Sequence, residues 1–166
     1  TNIDASLFSV VIDKLKKSGM RIICTADTIS SEWVKKLKPV SIKTGVYPYF
    51  PTDVQAQWMA LMATIEGKSV VEETVFESRL AHVGELQRLG ADISIKTNKV
   101  VINGGKSLSG APIMVSDLRA GAALVIAGLV AAGVTEILRI YHLDRGYEHL
   151  ERKLRKIGAK ITRVKQ

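Results

Sequence analysis

The sequence predicts an α/β protein, and three observations carry that prediction. Helical and strand-like stretches alternate along its 166 residues. The alternation then repeats itself. Finally, residues 120–134 hold no charged side chain and consist only of Gly, Ala, Val, Ile and Leu. That run is shorter than the roughly 20 residues of a membrane-spanning helix. A helix apolar on every side belongs inside protein, so the fold must offer it an interior place.

Residues 5–17 read as a helix with Leu7, Val10, Val11 and Leu15 on one face, closed by Ser18-Gly19. A strand is expected over 20–24, a short helix over 30–37 and a further strand over 40–44. Pro48 and Pro51 stop any helix entering from the left. Thr52 or Asp53 can cap the next one, whose apolar face carries Val54, Trp58, Leu61, Met62 and Ile65. It ends at Glu66-Gly67, and a strand follows over 69–75. Residues 80–89 form a helix closed by Gly90, and strands over 93–95 and 99–102 meet at Thr97-Asn98. Ser116 opens the apolar helix, which runs to about residue 132. A strand over 134–140, a helix over 147–157 and a last strand over 160–164 complete the chain.

The helix at Asp53, its Gly67 end and the Leu89-Gly90-Ala91 turn have counterparts at Asp117, Gly133 and Ile157-Gly158-Ala159. These positions lie roughly 65 residues apart, longer than the repeats of common solenoids. Lys17-Ser18-Gly19-Met20 resembles the tail of a third copy.

Lys and Arg number 24 against 16 Asp and Glu, a net charge of +8. That balance favours anionic partners: nucleic acid, phosphorylated metabolites or acidic lipid. Lys14, Lys16, Lys17, Lys35 and Lys36 fall on solvated helix faces. A nucleic-acid-binding module is the alternative the charge suggests, but aromatics are only 5% and no RNP or zinc-finger pattern occurs. Cys24, the single cysteine, reads as a buried thiol in a strand, with no internal disulfide possible, as in a cytoplasmic protein. No signal or transit peptide is visible. His82 and His149 read as solvent-facing or helix-packing, and no histidine has zinc-ligand spacing to a cysteine, so no metal is expected. Gly104-Gly105-Lys106-Ser107 lacks the spacing and the following helix of a phosphate loop. Trp33 and Trp58 read as core or interface residues.

Three arginines share a placement. Arg79 precedes the helix at 80, Arg119 lies in the first turn of the helix from 116, and Arg145 precedes the helix at 147. Helix starts attract anions through free N–H groups and the dipole, and guanidinium groups match carboxylate and phosphate. Three such sites on three units can converge on one small polyanion, with Asp53 beside them. The plain alternatives are a cap for Asp53 and, for the arginines, surface positions or ion pairs from Arg119 to Asp117 and Arg145 to Asp144.

The motifs carry a resemblance. Pro48-Tyr49-Phe50-Pro51-Thr52-Asp53-Val54-Gln55-Ala56-Gln57, Phe76-Glu77-Ser78-Arg79, Leu108-Ser109-Gly110-Ala111-Pro112, Asp117-Leu118-Arg119-Ala120 and Asp144-Arg145-Gly146-Tyr147-Glu148 occur in that order. Together they resemble the enolpyruvyl transferases, and among these the UDP-N-acetylglucosamine enolpyruvyl transferases of bacterial cell-wall synthesis. The FPTD and DRGYE motifs favour that branch over 5-enolpyruvylshikimate-3-phosphate synthases. The resemblance implies an inside-out α/β barrel, built from repeated α/β units with helices inside and sheets outside. It implies that residues 1–166 are one domain, most of the C-terminal catalytic domain of a two-domain enzyme, with about two and a half units present.

The implied partners are phosphoenolpyruvate, UDP-N-acetylglucosamine and the missing N-terminal domain, with no cofactor, nucleic acid or membrane. By motif position, Asp53 contacts the sugar 3-hydroxyl and is the candidate general base, while Asp117 is a second acid near the proton-transfer step. Arg79 belongs to the phosphoenolpyruvate region, Arg119 and Arg145 resemble its phosphate and carboxylate clamps, and Val75 packs against the uridine nucleotide. The family's general acid, a cysteine or aspartate on a loop of the other domain, has no match here, since the surroundings of Cys24 differ. The family's N-terminal Lys-Asn pair is absent too. The chain is therefore expected to hold half of a site and to be inactive alone.

Overall fold

The computed structural model describes residues 2–32, 34–76 and 78–164. Two inner helices supply the longest buried runs: α2 (Gln55–Thr64) and α4 (Leu118–Val130). They pack against each other, and both bury nearly every side chain along most of their length. Met59, Ala60 and Met62 of α2 and Ala123, Leu124 and Ala127 of α4 are fully enclosed. Helices buried on all sides need low polarity, and both segments supply it. The outer end of α4 departs from this, since Leu129 and Val130 are exposed.

Sheets lie around this pair. The largest has four strands in the order β3 (Ile42–Lys43), β4 (Gly67–Glu72), β6 (Lys99–Gly104), β5 (Ile93–Lys96). β3 runs parallel to β4, while β4–β6 and β5–β6 are antiparallel. Val71, Val100, Ile102 and Ile93 point from it into the core that holds α2. Gly104 is required at its corner: a Cβ there would stand 2.1 Å from the Met62 carbonyl oxygen. α3 (His82–Arg88) bridges this sheet to α4 through Val83, Leu86 and the adjoining Leu89. A second sheet pairs β7 (Pro112–Met114) with β8 (Glu136–Leu138) in parallel, on either side of α4. β3–α2–β4 and β7–α4–β8 thus share one topology.

The other elements are α1 (Ser9–Lys17), the hairpin of β1 (Arg21–Cys24) and β2 (Ile29–Glu32), α5 (Tyr141–Asp144) and α6 (Leu150–Lys156). The order α1–β1–β2 recurs as α3–β5–β6. α5 approaches α4 at Gly121, where a Cβ would meet Leu143 Cδ1 at 2.8 Å.

Several expectations are corrected. The short helix expected over 30–37 does not form at the described residues 30–32 and 34–37: Thr25 and Thr28 close a turn, with Thr25 N to Thr28 O at 3.0 Å, and the chain returns as β2. Trp33 lies outside the described residues, whereas Trp58 is core, as expected. Cys24 is exposed, because the two-stranded β1–β2 ribbon has little covering it. The helix expected over 147–157 begins only at Leu150, since His149 takes a left-handed backbone (φ 46°) that a helix interior excludes. Residues 160–164 pair with no strand among the described residues. β7 escaped the sequence reading because it is three residues long and begins at a proline.

Candidate functional site

The proline-rich stretch is anchored by burial. Phe50 is enclosed and packs edge-on against Trp58, with ring centroids 5.4 Å apart, and Trp58 Nε1 donates to the Val40 carbonyl at 3.0 Å. The chain then makes a 3-10 turn, Thr52–Val54, before α2. Neither Thr52 nor Asp53 caps a helix with its side chain, which corrects the capping expectation. The cap lies elsewhere: Asp117 accepts from Arg119 N at 2.9 Å and Ala120 N at 3.2 Å at the start of α4.

Asp53 is instead held by arginines. Arg79 Nη1 donates to its Oδ1 at 2.9 Å, and Arg119 Nε donates to the same oxygen at 2.5 Å. The two guanidinium groups come from different motifs and are mostly covered, while the Asp53 side chain is 64% exposed. Partial burial works to raise the Asp53 pKa, but the hydrogen bonds and charges of Arg119 and Arg79 outweigh it and hold the carboxyl below its ordinary value. Arg79 also donates to Thr52 Oγ1 at 3.1 Å and lies over the Phe76 ring, 3.9 Å from its centroid.

Behind this triad is a small pocket lined by Thr52, Gln55, Arg79, His82, Asp117 and Arg119. Gln55 Nε2 and His82 Nε2 are buried there without a hydrogen-bond partner among the described residues. Burial pushes the His82 imidazole down to about 4, with the charge of Asp117 opposing the shift. Of the two expectations for His82, helix packing or solvent, the structure shows the buried one: it is 4% exposed and lines the pocket. Only its place one helical turn from Glu85 and Leu86 on a half-apolar helix could have suggested burial.

Two of the three helix-start arginines therefore meet at Asp53. Arg145 does not join them, and it does not start a helix: it follows the last residue of α5 as its C-terminal cap and is exposed. Asp144 pairs with Arg163 rather than Arg145, and the Arg119 guanidinium goes to Asp53 rather than Asp117. Arg145 nonetheless adjoins the same region, since its neighbour Gly146 backs onto Leu118, where an added Cβ would stand 3.3 Å from Leu118 Cδ1. Val75 is half-buried on the loop between β4 and Arg79. Glu77 of the same motif lies outside the described residues.

Residues 1–154 match the EPSP synthase (3-phosphoshikimate 1-carboxyvinyltransferase) family. The chain is 63% identical over 151 residues to the UDP-N-acetylglucosamine 1-carboxyvinyltransferase of Endomicrobium trichonymphae, covering 91% of this chain and 36% of that protein. It is 52% identical over 164 residues to the protein of the same name from Desulfosudis oleivorans, covering 99% and 39%. The chain thus spans less than two fifths of the length of these relatives. Among solved structures it resembles the enolpyruvyl transferase NikO from Streptomyces tendae, with a TM-score of 0.87, 30% identity and 97% of this chain covered, but 38% of that one. EPSP synthase from Acinetobacter baumannii shares the fold at a TM-score of 0.71 and 17% identity, over 94% of this chain and 37% of that one. The α/β arrangement of inner helices and outer sheets is the fold of these transferases.

Proposed function

The chain belongs to the EPSP synthase family of enolpyruvyl transferases, and from that premise we propose that it carries part of the site for transfer of an enolpyruvyl group from phosphoenolpyruvate to the 3-hydroxyl of UDP-N-acetylglucosamine. Residues 1–166 supply most of a C-terminal catalytic domain, and a second domain supplies the remainder of the site, including the general acid. The convergence of Arg79 and Arg119 on Asp53 is the observation that carries the reading. A polyanion with both phosphate and carboxylate competes for the two guanidinium groups. As they turn to the substrate, Asp53 is released from its clamp, its pKa returns toward the ordinary range, and its carboxylate can accept the proton of the attacking hydroxyl.

The hydroxyl oxygen bonds to the enol carbon, and a proton from the other domain's acid goes to the methylene carbon. Loss of that carbon's proton then expels phosphate and regenerates the double bond. Arg119 and Arg145 hold the anionic groups, Arg79 belongs to the same region, and Asp117 fixes the first turn of α4 behind Arg119. Val75 packs against the nucleotide. The relatives' names support this reading against a nucleic-acid-binding module.

The test is phosphate release with both substrates. The chain alone is expected to give none, because a site closed between two domains is incomplete in one of them. Mixing it with a polypeptide that supplies the rest of an enolpyruvyl transferase is expected to restore release. Turnover by the chain alone, or no turnover in a mixture that assembles, would overturn the proposal.

A further inference from the structure

Glu73 is a carboxylate with no exposed surface, placed one residue beyond β4. Strand alternation puts it there: Ser69, Val71 and Glu73 face inward in turn. A buried charge is costly unless its lone pairs are met, and here they are met from three segments. Its Oε1 accepts from Thr44 Oγ1 at 2.9 Å, Val75 N at 2.7 Å and Phe76 N at 3.0 Å. Its Oε2 accepts from Thr52 Oγ1 at 2.9 Å. No cation neutralises it among the described residues.

The Thr52 bond matters most for the site. A hydroxyl has one proton to give. Having given it to Glu73, Thr52 presents lone pairs, and Arg79 Nη1 donates to them at 3.1 Å. The same Nη1 donates to Asp53. An ordered polar chain thus runs from Glu73 through Thr52 and Arg79 to Asp53 and Arg119. The other oxygen fixes the backbone at Val75 and Phe76, and the Phe76 ring lies under Arg79.

We propose that Glu73 is a positioning residue: its buried carboxylate orients the Thr52 hydroxyl, and through it aims Arg79 at Asp53, while holding the Val75–Phe76 turn. Its consequence for substrate rests on the enolpyruvyl-transfer reading; the network itself does not. An apolar side chain there would leave two amide N–H groups and two hydroxyls without their acceptor, so the carboxylate serves the loop structure and what that structure orients.

The amide of Glu73→Gln cannot reproduce this pattern. With its nitrogen toward Thr52, the hydroxyl accepts from the amide as well as from Arg79 and its own proton loses the acceptor that orients it; with its nitrogen toward Val75 and Phe76, donors face donors. The test is an NMR titration of the Asp53 carboxyl in the whole chain, together with exchange of the Arg79 guanidinium protons. Glu73→Gln and Thr52→Val are expected to raise the Asp53 midpoint by about one unit, the low end of what one adjacent arginine supplies, and to speed Arg79 exchange. Thr52→Ser, which keeps the hydroxyl, is expected to restore both. Thr44→Val removes a donor on the far side and is expected to lower thermal stability without moving either signal. Should Glu73→Gln fail to fold, the Thr52 pair carries the test at a half-buried position. Unchanged Asp53 and Arg79 signals in Thr52→Val, or an equal change in Thr44→Val, would overturn the proposal. A separate titration with phosphoenolpyruvate, of the unmodified chain assembled with the rest of an enolpyruvyl transferase, addresses the substrate reading: absence of binding there counts against that reading and leaves the Glu73 network standing.

Discussion

Two corners of the molecule carry the same kind of motif and resolve it differently. Around residues 52–79, Asp53 is bonded both to Arg79 of a separate loop and to Arg119, and buried Glu73 ties the loops together. Around residues 144–163, the acid of the Asp144-Arg145 motif is paired with Arg163, and Arg145 is exposed. Their surroundings explain the difference. The first corner rests on α2 and a four-stranded sheet, with Phe50 and Trp58 as its floor. The second rests on a two-stranded sheet and on α6, which has no fully buried residue. A rigid floor allows side chains to be fixed before a ligand arrives; a thin one leaves them to be fixed by whatever covers them. The side chains of the first corner are fixed by one another, whereas exposed Arg145 in the second pairs with no acid among the described residues.

The largest expected effect tests that contrast through chemistry. In the chain complemented by the rest of an enolpyruvyl transferase, Asp53→Asn removes the proposed base and is expected to lower kcat about 10²–10⁴-fold. Arg145→Ala is expected to act mainly by raising KM for phosphoenolpyruvate. If Arg145→Ala instead lowers kcat as strongly with KM unchanged, Arg145 is as fixed in the assembled site as Arg79, and the contrast fails there.

Stability should follow the same division. Leu124 of α4 is fully enclosed in the larger core, so Leu124→Ala is expected to cost about 2–5 kcal/mol in denaturant unfolding. Leu154 of α6 is only half-buried against a small cluster of Ala122, Val125 and Leu143, and Leu154→Ala is expected to cost about 1 kcal/mol, near the centre of ordinary substitutions. Equal costs would mean that the 141–164 region is as well packed as the rest.

How far the sequence revealed this can be judged from particular residues. α4 was legible because an uncharged run has one sensible place, and the 93–104 hairpin because Thr97-Asn98 punctuates two β-branched runs. The motif residues were legible through their resemblance to a family. What they bond to was not. Asp53 stood where a cap would stand, and only tertiary structure shows the arginines of another loop and of the first turn of α4 claiming it. Glu73 was hidden beside Glu72, although the alternation of Ser69 and Val71 pointed to it. Arg145 was misplaced because the helical pattern ran on through His149, whose backbone then breaks it. Propensity records local preference, and these outcomes were decided by contacts distant in sequence.

A smaller effect comes from pH. His82 is neutral in the folded protein because burial lowers its pKa to about 4. Its unfolded value is about 6.5, so between those two the unfolded chain binds more protons than the folded one. Stability is therefore present above pH 6.5 and is lost as pH falls toward 4, by on the order of 2–3 kcal/mol. His82→Phe is expected to flatten the stability curve across that window. Asp53, whose folded pKa lies below its ordinary value, acts in a different window: its contribution is lost only as pH falls below about 4. A curve that keeps its slope between pH 6.5 and 4 in His82→Phe would show that other groups set it.

The smallest effect concerns the ion pair that Asp144 forms in place of the alternative pair with Arg145. Asp144 and Arg163 are both substantially exposed, and Glu151 lies 4.0 Å from the same guanidinium. Exposed pairs contribute about 0–1 kcal/mol and are screened by salt, so Asp144→Asn should change unfolding free energy by no more than about 1 kcal/mol, and by less as salt is added. The pair would then act on position more than on stability. It ties the 160–164 segment across α5 and occupies the carboxylate that Arg145 would otherwise face. Arg163→Ala should leave Asp144 free to draw in Arg145, at a cost in phosphoenolpyruvate affinity that Asp144→Asn does not share. Equal affinities in the two variants would show that Arg145 is held by something other than the absence of a nearby acid, and the second corner would then be less open than its exposure suggests.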